Sequence, residues 1–428
     1  MALHRVTMLV GLGLVAGVSA VAAQTSAAQT SAARAIREDI KYLASDELGG
    51  RFTGSEGGKR AAQYLARRFG AVGAKPGVPG WLQLFTIAAD VPGVKDLPEG
   101  SRPTGSINVV ATIPGRDPAL RGEYVIVGAH YDHLGHGNRS SSLGNIGEIH
   151  NGADDNASGS VALIEIARQL AGKPPGRSVV LVAFSGEELG LLGSAAYVRS
   201  PPVPMDKTVA MVNLDMVGRL KNDRLLVFGS ETATEFPVLL DSLNAGPKFD
   251  LKYSGDGFGR SDQQSFYLAK KPVLHVFTDL HEDYHRPTDD WEKLNLAGLE
   301  KVATYATSIV RALADRTAPL SFVFKAPPPP QPVVGNQPGG AASLGTIPDM
   351  ASGGPGVRLS GVRPDSPADR AGLREGDILE GLGPLDIADL QGMTDALRQH
   401  RPGDTVMVRF RRGARQDSVK AVLGRRGG

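Results

Sequence analysis

Cysteine is absent from the chain. This rules out disulfides, Cys-ligated zinc, iron–sulfur clusters, a cysteine nucleophile and lipid anchoring through a thiol. Any metal must therefore be held by His, Asp and Glu. Aromatic residues are scarce at 6%, yet a hydrophobic fraction of 41% over 428 residues is enough to build a core, which excludes wholesale disorder. An excess of one charge sign is also missing. A formal net charge of +2 with 21% charged residues describes a balanced surface, not a nucleic-acid binder.

Long apolar runs are missing beyond residue 23. Met8–Ala23 is short for a membrane span of about 20 residues. It follows a basic start at Met1–Arg5 and ends in small residues, so residues 1–23 read as a secretory signal peptide cut near Gln24. Residues 24–33 read as a flexible lead. The expected location is periplasmic or secreted, with no stable membrane span after cleavage.

What is abundant is glycine and proline, 54 and 29 residues, about a fifth of the chain and without a collagen-like period. Part of this excess is a linker over 317–340, where Pro327–Pro330 and Pro332 favour polyproline II. It divides the chain into a domain over 34–316 and a smaller one over 341–428. Helical periodicity is expected over Arg34–Leu48, Gly58–Phe69, Ser158–Leu170 and Leu294–Leu313. Apolar β runs are expected at Ile107–Ile113, Tyr124–Ala129, Val179–Phe184, Val209–Leu214 and Val273–Phe277. Their alternation predicts an α/β fold with a mostly parallel mixed sheet sandwiched by helices.

Some signals fail on inspection. Gly11-Leu12-Gly13 lies in the signal segment, Gly58-Lys59 lacks the rest of a P-loop, and no G-x-S-x-G surrounds a serine. The polar residues that follow the β runs are more telling. His130-Tyr131-Asp132-His133, Ser185-Gly186-Glu187-Glu188, Asp215, and the loop with His281, Glu282, Asp283 and His285 each sit at a strand's carboxyl end. Ligand crevices of open α/β sheets lie there. Asn151-Gly152-Ala153-Asp154-Asp155-Asn156 adds carboxylates before a helix. Alone, each could be a cap or a solvated turn; together, so many acids would repel one another without a cation.

These motifs, with Asn213-Leu214-Asp215-Met216 and Tyr284-His285-Arg286-Pro287-Thr288-Asp289, resemble the M28 family of zinc aminopeptidases over about residues 34–315. The resemblance implies the zinc-exopeptidase fold and two zinc ions. Asp155 would bridge them, His130 and Asp215 would hold one, and Glu188 and His285 the other. It implies Glu187 as general base and Asp132 as the residue behind His130, accepting its spare N–H. One bidentate carboxylate can span metals roughly 3.5–4 Å apart. The chain departs from the family at Ser261-Asp262-Gln263, where a His often stands in place of Gln, and it has no long insertion within 87–107. His133, His136, His150, His275 and His281 read as packing or solvent-facing residues.

Residues 341–428 resemble a PDZ domain, a small β-rich module. Ser366 is expected to cap a short helix beginning at Pro367, and a helix over Asp389–Gln399 to close the groove. The resemblance places a peptide-carboxylate loop at Leu344, Gly345, Thr346 and Ile347. The resulting expectation is an exported di-zinc aminopeptidase acting on peptides, whose PDZ-like domain binds protein or peptide C-termini or packs on the catalytic domain. The alternatives are a carboxypeptidase or single-zinc glutaminyl cyclase on the same fold, or a PDZ-centred binding protein without activity. The N-terminal residue preferred would depend on the loops at 256–260 and 275–284.

Overall fold

The computed structural model describes residues 31–95, 97–137, 142–143, 145–259, 261–325, 342–349, 355–388 and 390–425. The expected signal peptide, most of the lead and the linker from 326 to 340 lie outside the described residues.

Helix α1 occupies 31–43 and α2 Glu56–Ala71, where the Ser55 hydroxyl accepts the Gly58 N–H as an N-cap. Strands β1 (Lys75–Pro76), β2 (Leu82–Thr86), β3 (Gly105–Ile113) and β4 (Tyr124–His130) follow, with the single turn α3 (Pro92–Lys95) between β2 and β3. Next come α4 (Gly159–Gly172), β5 (Ser178–Phe184), α5 (Leu192–Arg199), β6 (Thr208–Leu214), β7 (Arg224–Phe228), α6 (Phe236–Asn244) and β8 (Asp250–Ser254). The domain closes with α7 (Gln263–Leu268), β9 (Val273–Phe277) and α8 (Leu296–Asp315).

These strands form one sheet in the order β1-β3-β5-β4-β6-β9-β7-β8, with β2 pairing to β3. β5, β4, β6 and β9 are mutually parallel, and the β3–β5 and β9–β7 pairs are antiparallel. Period-two alternation explains why both faces are covered. Val125 and Val127 of β4 join the core beneath α2, α4, α6 and α8, while Ile126 joins Tyr197, Phe266 and Tyr267 of α5 and α7 on the other face. Gly128 is glycine for space: a Cβ there would lie 2.5 Å from the Phe184 ring. From β4 the chain runs to β5 on one side and later returns as β6 on the other. The order reverses at β4, so the crevice outside its carboxyl end is where a ligand site belongs.

The boundary expected at residue 316 falls too early. Residues 317–325 stay on the first domain because Phe322 and Phe324 pack on Tyr267 and the Lys325 N–H donates to the Tyr267 hydroxyl at 2.7 Å.

The second domain holds β10 (Ala342–Ser343), β11 (Thr346–Pro348), β12 (Val357–Val362), α9 (Pro367–Arg370), β13 (Ile378–Leu382), β14 (Leu385–Asp386), α10 (Leu390–Arg398), β15 (Thr405–Arg412), β16 (Arg415–Val422) and β17 (Gly424–Arg425). Ser366 caps α9 by accepting the Asp369 N–H, as its sequence predicts. Its core gathers Leu344, Leu359, Leu379, Val408 and Phe410. β11 ends the sheet order β11-β12-β13-β15-β16, so among the described residues one of its edges carries no strand. Arg224 of the catalytic domain donates to Asp349 at 2.5 Å, tying the two domains together. Among the described residues no helix is long and apolar enough to cross a membrane.

Candidate metal centre

The five residues expected to bind metal converge at the carboxyl ends of the parallel strands. His130 ends β4, Asp215 follows β6, Glu188 follows β5, His285 lies beyond β9, and Asp155 lies in the wide turn Ala153–Ser158 before α4. The two oxygens of Asp155 face different partners. Its Oδ1 lies 3.2 Å from His130 Nε2, and its Oδ2 3.1 Å from His285 Nε2. His130 Nε2 is also 3.3 Å from Asp215, and His285 Nε2 3.3 Å from Glu188. Each half thus has one imidazole, one carboxylate of its own and one oxygen of Asp155.

The spacing can be tested against zinc chemistry. Tetrahedral zinc with bonds of about 2.0–2.1 Å places its ligands roughly 3.3 Å apart, which is the separation found in both halves. The protonation pattern agrees. His130 Nδ1 lies 3.1 Å from the Asp132 carbonyl, which can only accept, so Nδ1 carries the proton and Nε2 presents a lone pair. That lone pair faces two carboxylate oxygens, an arrangement that requires a proton or a cation between them. Burial would lower the pKa of His130, but Asp215 and Glu187 outweigh it and hold the imidazole well above its ordinary range. Burial also opposes the charge on Asp155, yet hydrogen bonds from His130 and His285 hold it well below the usual carboxylate range.

The expected contact between Asp132 and His130 is corrected. The Asp132 carboxylate is 3.8 Å from His130 Nδ1, beyond a hydrogen bond. It is instead engaged by the Thr53 hydroxyl at 2.7 Å and the Glu187 N–H at 3.3 Å. It is the Asp132 backbone that orients His130, while its side chain anchors the Glu187 loop. Glu187 itself lines the cavity beside Asp155 and Asp215. Burial, then Glu188, Asp215 and Asp262, push it well above the carboxylate range, although His130 pulls the other way.

Several supporting residues escape sequence reading. His133 is fully buried, not solvent-facing, and its Nδ1 donates to Glu188 Oε1 at 2.7 Å. It can join Asp155 and Glu188 in a metal-binding group. Its spacing three residues after His130 was the available signal. Ser261 donates to Asp215 at 2.7 Å, and Asn213 donates to Ser261 at 2.8 Å. Gln263, the departure from the family motif, accepts from Asn213 at 3.2 Å. The bridging turn is held from both sides. Asp289 Oδ2 accepts the N–H groups of Asp154 and Asp155 at 2.9 and 3.1 Å. The buried Arg51 guanidinium donates to the carbonyls of Leu43, Tyr131, Asn151 and Gly152 at 2.5–2.9 Å, and burial lowers its pKa to about 10. Gly152 turns the chain at φ 54°, where a Cβ would strike the His133 ring. His285 also has a left-handed φ of 56° and stacks on Tyr284 with ring centres 3.9 Å apart. Non-glycine residues held in that region cluster at functional sites.

The other histidines divide. His136 is exposed, His150 bonds Ser142 at 2.5 Å, and His281 sits 3.1 Å from Asp154. His275 packs between Phe228 and Phe277 on the cavity wall, and burial lowers its pKa to about 4. The cavity measures about 500 Å³. Leu143, Met216, Phe228, Phe258, Phe277 and Leu280 give it an apolar side. Leu344, Gly345 and Thr346 of the expected carboxylate loop also reach it. Ile347 does not, because successive residues of a strand point to opposite faces.

Comparison with known proteins follows the same division. Residues 108–310 match the sequence model of peptidase family M28, and residues 342–423 that of the PDZ domain. A probable leucine aminopeptidase of Arthroderma otae is 29% identical over 219 residues, covering 48% of this chain and 57% of the relative. Across the first curated relatives the chain spans 35 to 57% of their own length. A zinc aminopeptidase from Bacillus subtilis matches with a TM-score of 0.53 at 19% identity, covering 68% of this chain and 98% of that one. Porphyromonas gingivalis glutaminyl cyclase matches with a TM-score of 0.52 at 19% identity, covering 65% and 97%. At such identities the likeness to these two structures is one of fold. The chain is thus similar to peptidase family M28 over residues 108–310 and to the PDZ domain over 342–423.

Proposed function

We propose that the protein is a zinc aminopeptidase with two metal sites, removing N-terminal residues from peptides. The observation that carries this reading is the divided Asp155 carboxylate, each oxygen facing its own imidazole. His130 and Asp215 would hold one ion, Glu188 and His285 the other, with Asp155 between them. Zinc bound there would supply a Lewis acid for the scissile carbonyl and lower the pKa of the attacking water. Glu187, on the cavity wall, would in its ionised form take the water's proton and pass it to the departing amine nitrogen. The Asp132 side chain would hold the Glu187 loop, and the Asp132 carbonyl would keep the His130 lone pair pointed inward. Phe228, Phe258 and Phe277 offer an apolar seat for the first side chain of the substrate. Curated relatives named leucine aminopeptidase and zinc metalloprotease support both the substrate class and the metal.

A glutaminyl cyclase shares the fold, but a complete second donor set at His130 and Asp215 favours two ions over one. Export to the periplasm or beyond belongs to the same reading, carried by residues 1–23. Amino-terminal sequencing of protein from a cell-envelope extract tests that part. For the activity, zinc-loaded protein is incubated with a mixed peptide library and the released residues are read by mass spectrometry. Sequential loss from amino ends is expected. Release from carboxyl ends alone, or pyroglutamate formation alone, would overturn the assignment.

A further inference from the structure

The PDZ groove and the metal centre open into one cavity. Asp155, Glu187 and Asp215 line one end, and Leu344, Gly345 and Thr346 the other. Among the described residues β11 leaves an edge without a strand, and Met393 and Leu397 of α10 line the same space. A peptide added to that edge would therefore run toward the strand ends that carry the ligands. Charge along the cavity is polar. Carboxylates gather at the catalytic end, and the cationic side chains on the wall, Arg363 and Arg398, both lie at the PDZ end, Arg398 paired with Asp395 at 3.1 Å. The Arg224–Asp349 pair holds the base of the groove against the catalytic domain. A volume of about 500 Å³ falls within the roughly 300–1,000 Å³ of small-ligand pockets, which suits a few residues and not a long chain.

We propose that the substrates are short peptides with a free α-carboxylate, held at both ends at once. The amino end lies at the metal centre, and the carboxylate lies at the Leu344–Thr346 loop under Arg363 and Arg398. The PDZ domain is then a substrate-length and C-terminus selector, not a separate docking module. Gly345, at φ 72°, turns the loop so that its backbone borders the carboxylate position, with its own N–H bonded to Ser343 Oγ at 3.1 Å. Leu344, Met393 and Leu397 would seat the last side chain.

This inference rests on the aminopeptidase reading, and its test separates the two. Full-length zinc-loaded protein is assayed on a ladder of leucyl-alanine peptides, from dipeptide to decapeptide, each as free acid and as C-terminal amide. A charge-assisted contact predicts kcat/KM about tenfold or more higher for short free acids than for their amides. It also predicts a decline once the peptide outgrows the cavity. Arg398→Gln, on an exposed side chain, and Arg363→Gln should each shrink the acid-to-amide ratio toward one. Calorimetry of the same tripeptide pair on Glu187→Gln gives a readout without turnover, and the acid should bind more tightly. Equal values for acid and amide in both assays, or a ratio unchanged in both arginine variants, would overturn the proposal while leaving the aminopeptidase in place. Tighter acid binding without release of any residue would instead remove the aminopeptidase and keep the two-ended site.

Discussion

The two halves of the candidate metal centre have the same kinds of donor but are built differently. His130 and Asp215 stand at the ends of β4 and β6, neighbouring parallel strands in the middle of the sheet. Their places are set by ladder hydrogen bonds and a core packed on both faces. Glu188 and His285 come from loops, where the His133 contact to Glu188 and the Tyr284 ring stacked on His285 stand opposite the Asp132 carbonyl on His130 and Ser261 on Asp215. Both halves orient their side chains through partners, but only the strand ends have their backbone placed by the sheet.

The sharpest way to break this comparison is to remove what both halves share. Asp155→Ala should lower the zinc content toward none and cut kcat by about a thousandfold or more, since metal catalysis is worth several kcal/mol. Plasma emission spectrometry of the dialysed variant provides the check; full zinc loading would show that the bridge is dispensable. Glu187→Gln belongs to neither half and should retain the metals. Its turnover should fall by about 10²–10⁴, and near-normal hydrolysis of a leucyl anilide would remove Glu187 as the base. His133→Ala separates the halves. The Glu188–His285 ion should bind roughly 10–100-fold more weakly, and the other should be unchanged. Titration against a competing chelator resolves the two; equal weakening of both would dissolve the contrast. The smallest effect concerns pH. Glu187 must be ionised to accept a proton, and burial with its acidic neighbours raises its pKa. Activity should fall as pH drops through that raised value, so the acid limb of kcat should lie above the roughly 4.3 of an ordinary glutamate. A limb at the ordinary value would mean that a different group is titrating.

The strand-end half was easier to read in the sequence because both ligands directly follow apolar β runs. β9 matches its expected bounds, Val273–Phe277, and β6 starts one residue early. What escaped depends on contacts between distant segments. Arg51 reaches Asn151 and Gly152, about a hundred residues on, and nothing near it in the chain marks it. The two-residue spacing points the Asp132 carboxylate at His130, but Thr53, far away in sequence, takes it. The composition shift after residue 316 was read as a domain edge, but Phe322 and Phe324 still find apolar cover on Tyr267. That the PDZ groove faces the catalytic cleft is a matter of how two domains meet, which local pattern does not encode.

The anchoring of Lys325 on Tyr267 limits how far the second domain can stray. From that point only sixteen residues, 326–341, lead to β10. At about 3.3–3.6 Å per residue their span is at most roughly 60 Å. The PDZ domain thus meets the cleft as a tethered partner, with an effective concentration in about the millimolar range. An interface too weak to survive between separate molecules can then keep the PDZ-like domain at the cleft.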